Sequence, residues 1–293
     1  MDLAILSCSL LILGLNARAQ TIAASDSTGL PGDHFSLEGA LEMFKEASSP
    51  EAFEKMLNSE DNKVNNLDLN EDGQTDYIRV VDQSESDAHA FILQALVSPS
   101  ESQDIAVIEL EKSGADGATV QIVGDEDIYG EQKIVEPTES VPVNAGTSHT
   151  TVAVNVVAWP VVRYVYVPTY RVWVSPWRWH VYPGWYRPWR PVHYHVFYRY
   201  RAPYYRHYNV VYTHRVVHAH QVYVPVRTTS VTVRTRNAAT VSHYRATRPA
   251  PSASVTRSRT TVTHANGRSA TKTTTTVKGK NGRKARHTKV RSH

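Results

Sequence analysis

The chain has 293 residues, enough for two small domains, and its formal charge of +4 conceals a segregation of the two signs. All 28 Asp and Glu lie at or before Glu139, beside only seven of the 32 Lys and Arg, so residues 1–139 carry −21 and residues 140–293 carry +25. A second half without a single carboxylate excludes paired-carboxylate catalysis there. It points instead to a polyanionic partner, or to a half that folds back on its own acidic domain.

Residues 1–19 read as a secretory signal peptide. Leu3 to Leu15 is an apolar run of thirteen, too short to span a bilayer, and Ala17-Arg18-Ala19 is a small-x-small cleavage site that leaves Gln20 first. Cleavage removes Cys8, the one cysteine, which rules out disulfides in the mature chain. No later segment reaches 18 apolar residues, so no transmembrane helix is expected. The expected location is the periplasm, the outer membrane or the exterior.

Residues 33–137 read as an acidic α+β domain. Ser36 is placed to cap a helix over 37–47 with Leu37, Ala40, Leu41 and Phe44 on one face. Ser49-Pro50 starts a second, with Phe53, Met56 and Leu57 inward. Strand patterns follow at 77–81, 88–97, 105–111 and 118–123, separated by polar turns. Two N-terminal helices followed by an antiparallel β-meander predict a sheet covered on one face. His89, on an apolar strand, reads as a satisfied core or edge histidine rather than a catalytic base.

Between helices and strands lies Asp68-Leu-Asn70-Glu-Asp72-Gly73-Gln74-Thr-Asp76. Oxygen-bearing side chains at positions 1, 3, 5 and 9, a glycine at 6 and the position-7 carbonyl of Gln74 are what a Ca²⁺ loop requires. Arg79 stands where an EF-hand has glutamate, and a strand pattern follows. The nine residues resemble the calcium loops of FG-GAP, VCBS and dockerin repeats, which implies a structural ion. The alternative is an ion-free Asx-rich turn. The wider segment, with ILQALVSPSESQDIAVIELEK and VQIVGDEDIYGEQKIVEP, resembles an uncharacterised family of exported Bacteroidota proteins. That resemblance implies export and brings no activity.

Residues 138–150 read as a linker. Residues 151–225 then hold all six tryptophans, between Trp159 and Trp189, interleaved with Arg, Tyr, Val and Pro. Strands are expected at 151–157 and 161–167. Prolines at 168, 176, 183, 188 and 191 predict an extended, ring-displaying chain beyond them. Trp173, Trp177, Arg178, Trp179, Trp185, Arg187, Trp189 and Arg190 are the candidate polymer-binding residues, since rings stack on sugars or bases and guanidinium holds anions. Contact with a membrane surface would use the same residue types. His193-x-His195 and His218-x-His220 would each point two imidazoles to one side of a strand, which suits Zn²⁺ or Cu²⁺, with His214 able to complete a set. The motif Val-Tyr-Val-Pro at 165–168 and 222–225 suggests reused extended units. Residues 226–293 read as a mostly disordered, basic, Thr-rich tail, with hairpin signals at Asn266-Gly267 and Asn281-Gly282.

The expected function is that of a non-enzymatic envelope or surface protein. Its acidic scaffold would be calcium-stabilised, and its cationic aromatic segment would bind an anionic or glycan envelope polymer. Alternatives are a basic half that serves as a structural cover, one that binds extracellular nucleic acid, or an envelope-glycan hydrolase. The signal peptide argues against an intracellular nucleic acid.

Overall fold

Two serines start the first helices, as predicted. Ser36 Oγ accepts from Gly39 N at 3.0 Å ahead of α1 (Leu37–Glu46), and Ser49 Oγ accepts from Ala52 N at 3.1 Å ahead of α2 (Pro50–Leu57). Their inward residues form one core with the sheet, and the Phe44 ring lies 5.2 Å from Phe53 and 5.1 Å from Phe91. The computed structural model describes residues 27–142, 149–248, 253–263, 269–279 and 284–292. The expected signal peptide lies outside them.

The fold is α+β: the two helices are followed by an antiparallel meander of β1 (Ile78–Glu85), β2 (Ala88–Leu96), β3 (Ser102–Lys112) and β4 (Ala118–Gly124). A short α3 (Glu126–Tyr129) leads into β5 (Lys133–Pro142), which pairs with β4 and with β6 (His149–Ala153). The expected linker 138–150 is therefore largely strand, with 143–148 outside the described residues.

The sheet is covered on both faces, not one. On β2, Phe91, Leu93 and Ala95 enter the α1/α2 core, while Ala90 and Ile92 face the other way with Val107 and Val123. A continuous apolar run such as β2, buried at every position, is what a strand between two layers needs.

The second layer and the rim come from the half expected to be extended. Residues 161–167, read as a strand, form α4 (Pro160–Val165) instead. Proline at the first helical position lacks no needed N–H, and Val161, Val162 and Val165 reach the core on one face. There follow α5 (Tyr194–Arg201), β7 (Tyr208–Val211, on β5), α6 (Val217–Tyr223, packed on β1, β2 and β3) and α7 (Val231–Thr247, against α3). The two Val-Tyr-Val-Pro copies end α4 and α6, so they are not extended units. The tail expected to be disordered contains α7, capped by Ser230 Oγ on Val233 N, and a three-stranded antiparallel sheet. Its strands are β8 (Ala253–Thr263), β9 (Ser269–Gly279) and β10 (Lys284–Ser292). Thr263 pairs with Ser269 and Lys278 with Lys284, bracketing the two Asn-Gly signals, which themselves lie outside the described residues.

Ion pairs cross between the two halves. Arg227 reaches Asp125 at 2.6 Å and Asp127 at 3.1 Å; Arg215 meets Glu136 at 3.0 Å; Arg234 adds Asp127 at 3.2 Å. Arg201 meets Glu38 at 3.5 Å, both buried, and Arg248 meets Glu131. α7 comes so close to the end of α3 that Gly130, at φ +77°, has no room for a Cβ, because the Tyr244 ring occupies that space.

Asp104 is the buried carboxyl on which the 223–228 segment lands. It accepts from Thr228 N at 2.8 Å, Tyr223 Oη at 3.2 Å and Gln94 Nε2 at 2.7 Å. Burial outweighs these bonds and pushes its pKa up to about 6. A raised carboxyl binds its proton longer in the folded state, so its contribution to stability is fully present below about 4 and is lost as pH rises to about 6. Asp104→Asn is expected to flatten that part of a stability-versus-pH curve measured by denaturant unfolding; an unchanged slope would remove Asp104 as its source.

Candidate functional site

The aromatic segment lies along the outer edge of β1. Asp82 N donates to Trp173 O at 2.8 Å and Ser175 N to Val80 O at 3.1 Å, so Val174 pairs with Val81 as a single extra bridge. Proline cannot extend that pairing, and Pro176 turns the chain off the edge. The chain reverses between Arg178 and Val181, with His180 at φ 56°, and returns over the loop that precedes β1. There Tyr186 Oη donates to Thr75 O at 2.7 Å, Thr75 N to Trp189 O at 2.8 Å, and Val192 N to Asn66 Oδ1 at 2.8 Å. The stretch expected to be extended and to display its rings is hydrogen-bonded to the acidic domain along much of its length.

Glu54 fixes one end of it. This buried carboxylate on α2 accepts from Tyr77 Oη (2.7 Å), Val80 N (2.9 Å), Ser175 Oγ (2.8 Å) and Trp173 Nε1 (3.2 Å). Burial raises its pKa, and the four donors oppose that rise. Above it opens a cleft of about 200 Å³ lined by Ser49, Glu51, Ala52, Glu54 and Lys55 of the α2 region and by Trp173, Trp177 and Trp185. Trp185 is 41% exposed, with Lys55 Nζ 5.7 Å from its ring centroid and the rings of Tyr77 and Tyr186 each 6.4 Å away. Three indoles, one ammonium and one exposed carboxylate thus surround a single concavity. It offers flat apolar faces with hydrogen-bonding groups at the rim.

The other predicted polymer residues lie outside the cleft. Trp179 packs on His180, Arg187 Nη1 donates to the carbonyls of Gly184 and Tyr186, and Arg178 and Arg190 are exposed. Among the described residues, neither Arg178 nor Arg190 has a carboxylate at ion-pair distance. Trp189 and Arg190 instead wall an open depression of about 600 Å³ whose far side is Asp68, Asp72, Gly73 and Gln74.

That far side is the predicted calcium loop. Asp68 accepts from Asp72 N and Gly73 N, Asn70 Oδ1 from Asp72 N, and Asp72 Oδ1 from Gln74 N, with Gly73 at φ +81° as the turn demands. Asp76 points inward to accept from Leu69 N at 2.5 Å. These are the bonds of an Asx-type turn. Asp68, Asp72 and Asp76 do not bring their oxygens together as one ligand set.

The histidines sort differently from their spacing. His193 and His195 are exposed around the start of α5, and His218 is 3.9 Å from Glu85 at the surface. His218 and His220 sit on a helix, where residues two apart diverge, so only His220 turns inward. It meets His214 and Glu109, and these three form the one group of metal-competent side chains among the described residues, all ligating atoms lying within 4.8 Å. In the sequence Glu109 reads only as the polar beat of an alternating strand, and Lys55 and Glu51 carry no signal at all. His89 is a core histidine as expected, 3.0 Å from buried Asp82 and stacked on Phe91.

Compared with family profiles, curated proteins and solved structures, the chain matches none of them, so geometry alone carries the functional argument. No helix among the described residues is long and apolar enough to cross a membrane.

Glu54→Gln would turn an amide N–H₂ toward groups that are themselves donors. Unfolding is expected to show a loss of about 1–3 kcal/mol, together with a red shift of tryptophan emission as the 173–177 stretch loosens. Unchanged emission would mean that Glu54 does not hold the aromatic segment.

Proposed function

We propose that the protein is a non-enzymatic component of the cell envelope or surface that binds a glycan polymer in the cleft of Trp173, Trp177 and Trp185. The carrying observation is that three indoles from one segment line one concavity with Lys55 and Glu51 at its rim. Indole faces stack on the C–H faces of sugar rings, and the rim groups match their hydroxyls. Arg178 and Arg190 are exposed and, among the described residues, without a carboxylate at ion-pair distance, which favours a glycan bearing carboxylate or phosphate groups. Export rests on the signal-peptide pattern of residues 1–19.

Many arginines of the second half are already engaged with the acidic domain. They support the companion reading that this half is also a structural cover, and they reduce the charge left for a polyanion. The test is a titration of the full mature chain with envelope polysaccharides, followed by tryptophan fluorescence. Trp177→Ala and Trp185→Ala are each expected to weaken binding by about 5- to 100-fold, the range for loss of one stacking ring. Binding should fall only modestly with salt. Unchanged affinity in both variants overturns the cleft, and a steep salt dependence with single-stranded DNA as the better ligand would move the assignment to nucleic acid.

In this reading Ca²⁺ binds at Asp68, Asn70, Asp72, Gln74 and Asp76, and the loop has to shift from its turn geometry to bring those oxygens together. Burial, with Asp68 and Asp72 nearby, raises the Asp76 pKa to about 8 despite its bond from Leu69 N. A divalent ion would compensate the charge that burial disfavours. Thermal unfolding should shift upward with Ca²⁺ relative to chelator. An identical midpoint reduces the loop to its turn.

A further inference from the structure

We infer that Glu109, His214 and His220 form a binding site for a divalent transition-metal ion, zinc by the chemistry of its ligands. Glu109 stands mid-strand on β3, fully buried, on the face covered by α6. Its two carboxylate oxygens go to two different histidines: Oε1 faces His220 Nδ1 at 2.6 Å, and Oε2 faces His214 Nε2. The imidazole centroids are 4.2 Å apart with planes inclined at 59°, so the rings converge on the carboxylate without stacking flat.

Charge is the first argument. A fully buried carboxylate needs a compensating cation, yet among the described residues no Lys or Arg comes within ion-pair distance of Glu109, and its only charged-capable partners are these two histidines. The neighbouring acids on this face are served otherwise: Arg215 takes Glu136, and the backbone N–H of Ala219 donates to Glu111. Protonation of one histidine would supply the charge; so would a metal ion bound by two neutral imidazoles.

Donor chemistry favours the ion. Two imidazole nitrogens and one carboxylate oxygen, with a fourth position open, is the three-ligand set that zinc accepts. Ligand atoms around tetrahedral zinc stand about 3.3 Å apart, so the 2.6 Å hydrogen bond would have to open by roughly 0.7 Å. His214 lies in the segment after β7 and His220 on α6, and both histidine side chains keep partial exposure, 17% and 22%, which leaves a route for the ion and a water. A metal held there would tie β3 to two separate pieces of the covering layer.

The full mature chain, stripped with chelator and exchanged into metal-free buffer, should take up one equivalent of ZnCl₂ in isothermal titration. With CoCl₂ it should show the visible bands of a four-coordinate ion. His214→Gln and His220→Gln are each expected to weaken Zn²⁺ binding at least about tenfold, whereas His218→Gln, His193→Gln and His195→Gln leave it unchanged. Absence of saturable binding overturns the site, as does binding that survives both ligand variants or is lost with His218, His193 or His195. Should a ligand variant fail to fold, the unmodified chain decides: one equivalent of Zn²⁺ should protect His214 and His220, but not His218, from diethyl pyrocarbonate, read by peptide mass spectrometry. Equal labelling with and without Zn²⁺ would overturn the proposal.

Discussion

The structure depends on where the carboxylates of the central sheet find their partners. Gln94, Asp104, Glu109, Gln121 and Glu136 are buried polar side chains on strands that would otherwise form an apolar face. An uncompensated buried carboxylate costs several kcal/mol. Each of these acids is met from residues 213–230, which contain no acid that could compete: Asp104 by Thr228 and Tyr223, Glu109 by two histidines, Glu136 by Arg215. The pairs at the edge are of another kind. Arg234, Arg236 and Arg245 are more than a third exposed, so each contributes about 0–1 kcal/mol and is screened by salt. Apolar contact then completes the layer, with Tyr223 joining Ala90, Ile92, Val107 and Val123.

Much of the acidic domain was legible because local rules governed it. Ser36 and Ser49 cap the helices they predict, and the strand patterns fall within a few residues of the observed strands. The second layer was harder to read. Val161, Val162 and Val165 fit a helix, but alternation with Tyr164 and Tyr166 fits a strand equally well, and only Pro160 at the first helical position separates the two. α7 has almost no apolar face, with Val233 and Val241 its buried residues, so periodicity cannot reveal it. It rests on α3 through Arg234 and Arg245, contacts more than a hundred residues distant in sequence.

The candidate sites divide in the same way. The clustering of tryptophans announced a surface, whereas the residues that turn three of them into a cleft belong to α2, more than a hundred positions earlier. The His-x-His spacing points two imidazoles to one side only on a strand. On a helix the i, i+2 pair splits, and the partner of His220 is His214, with Glu109 from the sheet. Position along the chain is a weak guide to a site assembled from two halves that meet only after folding.

Chain order gives the covering layer a further consequence, one of timing. Residues 27–142 precede 213–248 in the chain, so on N-to-C-terminal emergence the meander appears with Ile92, Val107 and Val123 uncovered and its buried acids still in water. Closure must wait for contacts spanning more than a hundred residues, and such long-range closure slows folding. Until α6 arrives, the half-built sheet remains hydrated on one side and poorly committed to its final packing. A chain built this way cannot close its second layer until residues 213–248 are in place.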